Sequence, residues 1–182
     1  MMKRRPFLAA LGLLAATTPW PVRAQQDSAA LPSMAVMDIE LIDDHQNPLT
    51  VADQERRLRQ ARPQLEQLLV SHALYQVRDA APAQALLAQL HAQQAFLYRC
   101  DDCVMQFGHQ LGVDLVMSSW VQKVSELILN FNVQIHAVAT QKLILSKSVD
   151  MRGNNDVSWS RAVSYLVRDM ADKRAANPRY GM

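Results

Sequence analysis

Leu127-Ile128-Leu129-Asn130-Phe131-Asn132-Val133-Gln134-Ile135-His136 decides the fold. Successive side chains of an extended chain point to opposite faces. Leu127, Leu129, Phe131, Val133 and Ile135 therefore share one face, and Asn130, Asn132, Gln134 and His136 share the other. That alternation describes a strand with one buried and one open side. Residues 113–124 upstream read as a second long strand. Downstream, Thr140-Gln141 makes a turn and residues 143–151 return as a third. Gly153-Asn154-Asn155 ends the sheet, and Asp156 or Asn155 caps a last helix. Trp159, Val163, Leu166, Val167 and Met170 form its buried stripe; Arg161, Tyr165, Arg168 and Asp172 form its polar one.

The first half is less regular. Residues 34–42 read as a strand with Met37, Ile39 and Leu41 on one side and Asp38 and Glu40 on the other. Thr50 and Asp53 approximate a capping box, opening a helix to His72 with a kink or short break at Pro63. Residues 74–79 form a short strand. Pro82 starts a second helix carrying Leu86, Leu87 and Leu90. A short helix follows Cys100-Asp101-Asp102-Cys103 and ends on Gly112 as a left-handed cap. The order β-α-β-α-α-β-β-β-α predicts an α/β two-layer sandwich: a mixed sheet with an antiparallel C-terminal hairpin and helices mainly on one face.

The amino terminus sets the compartment. Lys3, Arg4 and Arg5 precede an apolar run of about ten residues, too short to span a bilayer. Val22-Arg23-Ala24 then offers small side chains for cleavage, the pattern of a secretory signal. The expected organisation is a signal at 1–24, a flexible linker at 25–33, one α/β domain at 34–174 and a frayed tail at 175–182. Arg4-Arg5 resembles a twin-arginine signal, but the Sec route to the periplasm is the expectation. Removing the leader takes four of the 19 basic residues and no acidic one, so the net charge moves from +2 to −2. The basic pI of 8.7 therefore belongs to the leader, and nucleic acid is excluded as an expected partner. No membrane span follows the signal.

Three stretches carry candidate chemistry. Cys100 and Cys103, three apart in an oxidising compartment, pair as a disulfide. Their alternatives are a dithiol redox centre, opposed by the charges of Asp101 and Asp102, or a zinc site completed by His91 and His109. The Asn130, Asn132, Gln134, His136 ladder is either a solvated face or a binding surface; asparagines are poor strand formers and need a reason to be there. Arg152, Asn154, Asp156 and Arg161 are either a capped loop or, with the helix N-terminus, an anion site. No nucleophile elbow, phosphate loop or zinc-protease motif occurs, so no catalytic residue, metal or cofactor is assigned.

Gly112-Val113-Asp114-Leu115-Val116, Trp120-Val121-Gln122-Lys123-Val124-Ser125, the turn Val138-Ala139-Thr140 and the closing helix resemble the amino-terminal domain of TolB and the related CsgG-like and flagellar outer-membrane proteins. Leu127-Ile128-Leu129-Asn130, Arg152-Gly153-Asn154 and Ser158-Trp159-Ser160-Arg161 also resemble an uncharacterised proteobacterial family of exported proteins, a domain of unknown function. The resemblance spans residues 34–170. It implies a periplasmic docking or assembly domain, with a quinoprotein dehydrogenase system as an associated partner. The expected function is a non-enzymatic accessory that docks a protein or polar ligand on the exposed sheet face. The rival is a thiol–disulfide redox protein using Cys100 and Cys103.

Overall fold

The strand pattern is realised as a five-stranded mixed sheet in a computed structural model that describes residues 30–43, 45 and 47–182. The signal and the linker as far as residue 29 lie outside the described residues. The elements follow the expected order: β1 (Ser33–Asp43), α1 (Val51–Ser71), β2 (Gln76–Arg78), α2 (Gln84–Gln93), α3 (Asp101–Leu111), β3 (Leu115–Lys123), β4 (Ile128–Ala137), β5 (Lys142–Arg152) and α4 (Asp156–Ala176). Short 3-10 turns, Ala81–Ala83 and Leu97–Arg99, lead into α2 and α3. The sheet order is β2-β1-β3-β4-β5. β1 runs parallel to both β2 and β3, whereas β3, β4 and β5 are antiparallel.

Handedness places the helices. The step from β1 to β2 moves one way across the sheet, and the step from β2 to β3 moves back past β1. Right-handed crossovers then put α1 on one face and α2 with α3 on the other. α4 returns to the α1 side. The two long helices thus share a face, as expected, and the two short ones cover one end of the opposite face. The main core lies under α1 and α4 and takes Leu129, Phe131, Val133 and Ile135 from β4, Leu65 and Leu69 from α1, and Trp159, Val163 and Leu166 from α4. A smaller core gathers Ala35, Met37, Leu87, Phe107 and Val116 under α2 and α3. Gly108 lets α3 approach: a Cβ there would sit 2.5 Å from Val138 Cγ2 and 2.8 Å from Val116 Cγ2.

Several local expectations change. The register between β1 and β3 shifts between Val36 and Ile39. This bulge sends Met37 into the small core and Ile39 into the main one, so they do not share a face. α1 runs unbroken through Pro63. Pro63 and Arg59, whose carbonyl loses its usual donor, lie on the exposed side, where that carbonyl is open to solvent. Thr50 makes no capping bond; its backbone is already near-helical, and its hydroxyl donates to the Asn47 carbonyl instead. Gly112 is the left-handed cap of α3 and Asn155 caps α4, accepting from the Ser158 N–H. Leu127 falls outside β4 and is exposed.

The chain end folds back onto the domain. α4 continues to Ala176, and the buried Tyr75 hydroxyl donates to the Gly181 carbonyl at 2.8 Å. Arg174 donates to the Tyr75 oxygen and to the carbonyls of Tyr180 and Gly181. Burial pushes the Tyr75 pKa up to about 12, against the nearby Arg174 charge. A charged side chain holding a buried phenol and two carbonyls fixes the last residues.

A candidate binding face and its edges

On the side away from the long helices, strand register sets up polar ranks. Gln122, Asn130 and Asp150 lie abreast; so do Trp120, Asn132 and Ser148, and then Ser118, Gln134 and Ser146. Asn130 Nδ2 donates to Asp150, and Asn132 Nδ2 donates to the Asn130 carbonyl at 3.2 Å. Asn130, Asn132 and Gln134 are half-buried, and Ser146, Ser148 and Asp150 are exposed. The helical cover stops at an aromatic wall. Tyr98 stacks on Trp120 with centroids 4.1 Å apart, and Arg99 lies over the Tyr98 ring. Glu40 anchors that wall by accepting the N–H groups of Leu97 and Tyr98; burial raises its pKa, and those bonds oppose the rise.

His136 departs from the rest of the ladder. It is 3% exposed, its Nδ1 has no partner, and its Nε2 lies 3.6 Å from the Asp101 carboxylate. Burial lowers the imidazole pKa and Asp101 counteracts this. Asp101 is the first residue of α3 and sits inside the ring closed by Cys100 and Cys103, whose Cα atoms are 5.2 Å apart. The fold thus brings together two motifs that the sequence separates by more than thirty residues. Cys100 occupies the N-cap position and its sulfur accepts from the Cys103 N–H; Cys103 belongs to the small core. His91 and His109 are exposed, and the described residues contain no group of three or more potential ligands poised to hold a metal.

The third candidate divides. Asn154 Oδ1 accepts from Arg57 and from the Trp159 indole N–H, and its Nδ2 donates to Glu126. Asp156 binds Arg56 and Arg57 of α1, which hold its pKa down at about 2. Asn154 and Asp156 therefore tie α1 to the start of α4, and Asn155 fills the helix N-terminus. Arg152 and Arg161 are instead exposed and line a groove of about 590 Å³ between β5 and α4, with Ser148, Asp150, Ser158 and Tyr165.

One polar cluster escaped the sequence reading. Lys123, at the end of β3, is 2% exposed and donates to Asp43 at 2.9 Å and Glu126 at 2.6 Å. Burial would raise the Asp43 pKa, but the Lys123 ammonium and the His45 N–H bring it below its ordinary value. Burial likewise disfavours charge on Lys123, and its two carboxylates more than offset that cost. The only hint in the sequence is a lysine that shares the strand face of Val121. Beside this cluster, Leu41, Asp43, Gln54, Leu58, Phe96 and Arg99 line a crevice of about 520 Å³ near the carboxyl end of β1.

No helix among the described residues is long and apolar enough to cross a membrane. Residues 32–170 match the model of a family, DUF3280, described as "Protein of unknown function (DUF2380)". No curated protein matches the chain. Among solved structures, the LpoB C-terminal domain from Salmonella enterica is 13% identical, covering 70% of this chain and 87% of that one, with a TM-score of 0.45. TolB from Acinetobacter baumannii is 13% identical over 81% of this chain and 29% of its own, with a TM-score of 0.45. Lipoprotein GNA1162 from Neisseria meningitidis is 17% identical over 80% of this chain and 98% of its own, with a TM-score of 0.46.

Proposed function

Starting from a chain that belongs to the DUF3280 family of unknown function, we propose that it is an exported, non-enzymatic accessory that docks a protein partner on its open sheet face. The observation that carries this is the half-exposed polar face of β4 and β5, with Gln122 of β3 at its margin, beginning where the Tyr98–Trp120 wall ends. An open face spread over two strands suits a protein surface better than a small ligand, which is held in a cleft. Asn130 and Asn132 are tethered to Asp150 and to the backbone, so this surface is presented in an ordered form before binding. The periplasm, reached through a Sec-type signal, is the compartment of this reading, and the quinoprotein dehydrogenase system is one partner the resemblance implies.

A photo-crosslinking residue at position 132, in cells that make the protein, tests the reading. A discrete adduct that is absent when the same residue stands at exposed Arg59 supports it; equal labelling at both positions, or none, sinks it. A second reading is favoured by one observation: the Cys100–Cys103 ring stands at the start of α3, and Asp101 within it lies 3.6 Å from the buried His136. A thiol–disulfide protein would show a potential between about −200 and −120 mV, and a structural bridge one below about −300 mV.

A further inference from the structure

β5 is the outermost strand, paired only with β4, so its other edge presents unpaired backbone N–H and C=O groups. Two side-chain contacts bound the open stretch. Lys147 crosses to Asp169 of α4, and Ser158 Oγ donates to the Arg152 carbonyl at 2.7 Å. Between them, Ser148–Met151 faces the groove of about 590 Å³ whose far wall is α4. Tyr165 stands in that wall, 50% exposed, and the Arg168 guanidinium lies 5.7 Å from its ring centroid.

The charge around the groove is mostly positive, Arg152 and Arg161 in the lining against the single carboxylate of Asp150. Arg152, Arg161 and Arg168 are exposed and make no ion pair among the described residues. The acidic residue in the lining, Asp150, already accepts a bond from Asn130. A rim of unpaired arginines repels the same edge of a second copy and attracts an acidic one. Backbone groups left open on an edge strand bind an extended chain through main-chain hydrogen bonds. We propose that an extended, acidic segment of a partner protein adds beside Ser148–Met151 as a sixth strand, its carboxylates meeting Arg152 and Arg161 and an apolar side chain resting on Tyr165. This site is on the edge of the sheet and does not depend on the reading of its open face.

The probe is a fluorescein-labelled octapeptide of alternating Glu and Val, with two companions: the Lys/Val analogue and the Glu/Val peptide N-methylated at every second residue. Fluorescence anisotropy with the whole protein should show saturable binding of the Glu/Val peptide alone. Arg152→Glu with Arg161→Glu should weaken it about tenfold or more, because two charge-assisted contacts become repulsive. Arg59→Glu with Arg179→Glu, the same charge change at exposed sites elsewhere, should leave it intact. Circular dichroism of each variant shows that the fold is retained. Absence of saturable binding overturns the proposal, as does equal binding of the N-methylated or Lys/Val peptide. Crosslinking at position 132 reads the open face separately, so the two readings fail independently.

Discussion

The two faces of the sheet do different work with nearly the same strands. Under α1 and α4, β4 contributes Leu129, Phe131, Val133 and Ile135, all fully buried. On its other side the same strand presents Asn130, Asn132 and Gln134, all half-buried, with the two asparagines bonded to their neighbours. One face holds the molecule together; the other is kept wet across β4 and β5, beyond the small core of α2 and α3. If the open face is the docking surface proposed, stability and recognition are separated by a period of two residues, and substitutions one position apart should have different consequences.

The sharpest way to break this division is Phe131→Ala. Phe131 sits at the centre of the main core, and emptying such a site costs about 3–5 kcal/mol. Urea unfolding should show that loss; a loss under 1 kcal/mol would mean that this face is not where the stability lies. A smaller effect is expected from the covered end of the other face. Replacing Cys100 and Cys103 by Ser opens a four-residue ring, worth roughly 2 kcal/mol in the loop-entropy account. The same variant should still give the crosslink at position 132 if the bridge is structural.

Acid should dissect the two faces further. His136 has its folded pKa below 6.5 through burial, so its contribution is complete above that value. It is lost as pH falls from 6.5 toward the folded value, because the unfolded chain takes up the proton first. Asp156, held at about 2 by Arg56 and Arg57 against 3.8 when unfolded, gives a contribution that persists above about pH 4 and disappears between there and pH 2. Thermal midpoints across pH 8 to 2 should therefore fall in two stages. His136→Gln should flatten the upper stage, and Asp156→Asn should reduce the lower, which Asp43, Asp114, Glu126 and Asp169 share. A single stage unaffected by His136→Gln would count against a buried neutral imidazole.

Much of this was legible in residues 127–170, because local periodicity there coincides with burial. The β4 alternation from Leu129 to Ile135, the cap at Asn155 (one of the two residues read for it) and the α4 stripe from Trp159 to Met170 are as read. The open face was legible for the same reason, as far as Gln134. His136 continues the pattern in sequence, but α3 arrives over it from a distant part of the chain and buries it. The Arg152–Arg161 stretch shows a similar limit. Its composition suggests an anion site, yet which arginines stay unpaired depends on α1, whose Arg56 and Arg57 lie about one hundred residues away and take Asp156. Lys123 with Asp43, and Tyr75 with Gly181, are equally remote pairs. The β1 bulge is a case where alternation itself misleads, since a single inserted residue puts Met37 and Ile39 on opposite faces.

The smallest expected effect on stability carries the most about function. Asn132→Lys with Gln134→Lys adds two charges to half-exposed positions, and surface substitutions of this kind usually change stability within about 0.5 kcal/mol. Lysine also suits an open strand position, where charge discourages unwanted pairing. Unfolding should therefore barely move, while a partner seated on this face meets two new ammonium groups that it must displace or desolvate. The crosslink from position 130 should then disappear with the fold intact. If the adduct survives, the ladder is a solvated surface and the wet half of the sheet has no part in docking. If unfolding shifts by 2 kcal/mol or more, this face contributes to the core, and the division between the two sides of β4 fails at its most exposed point.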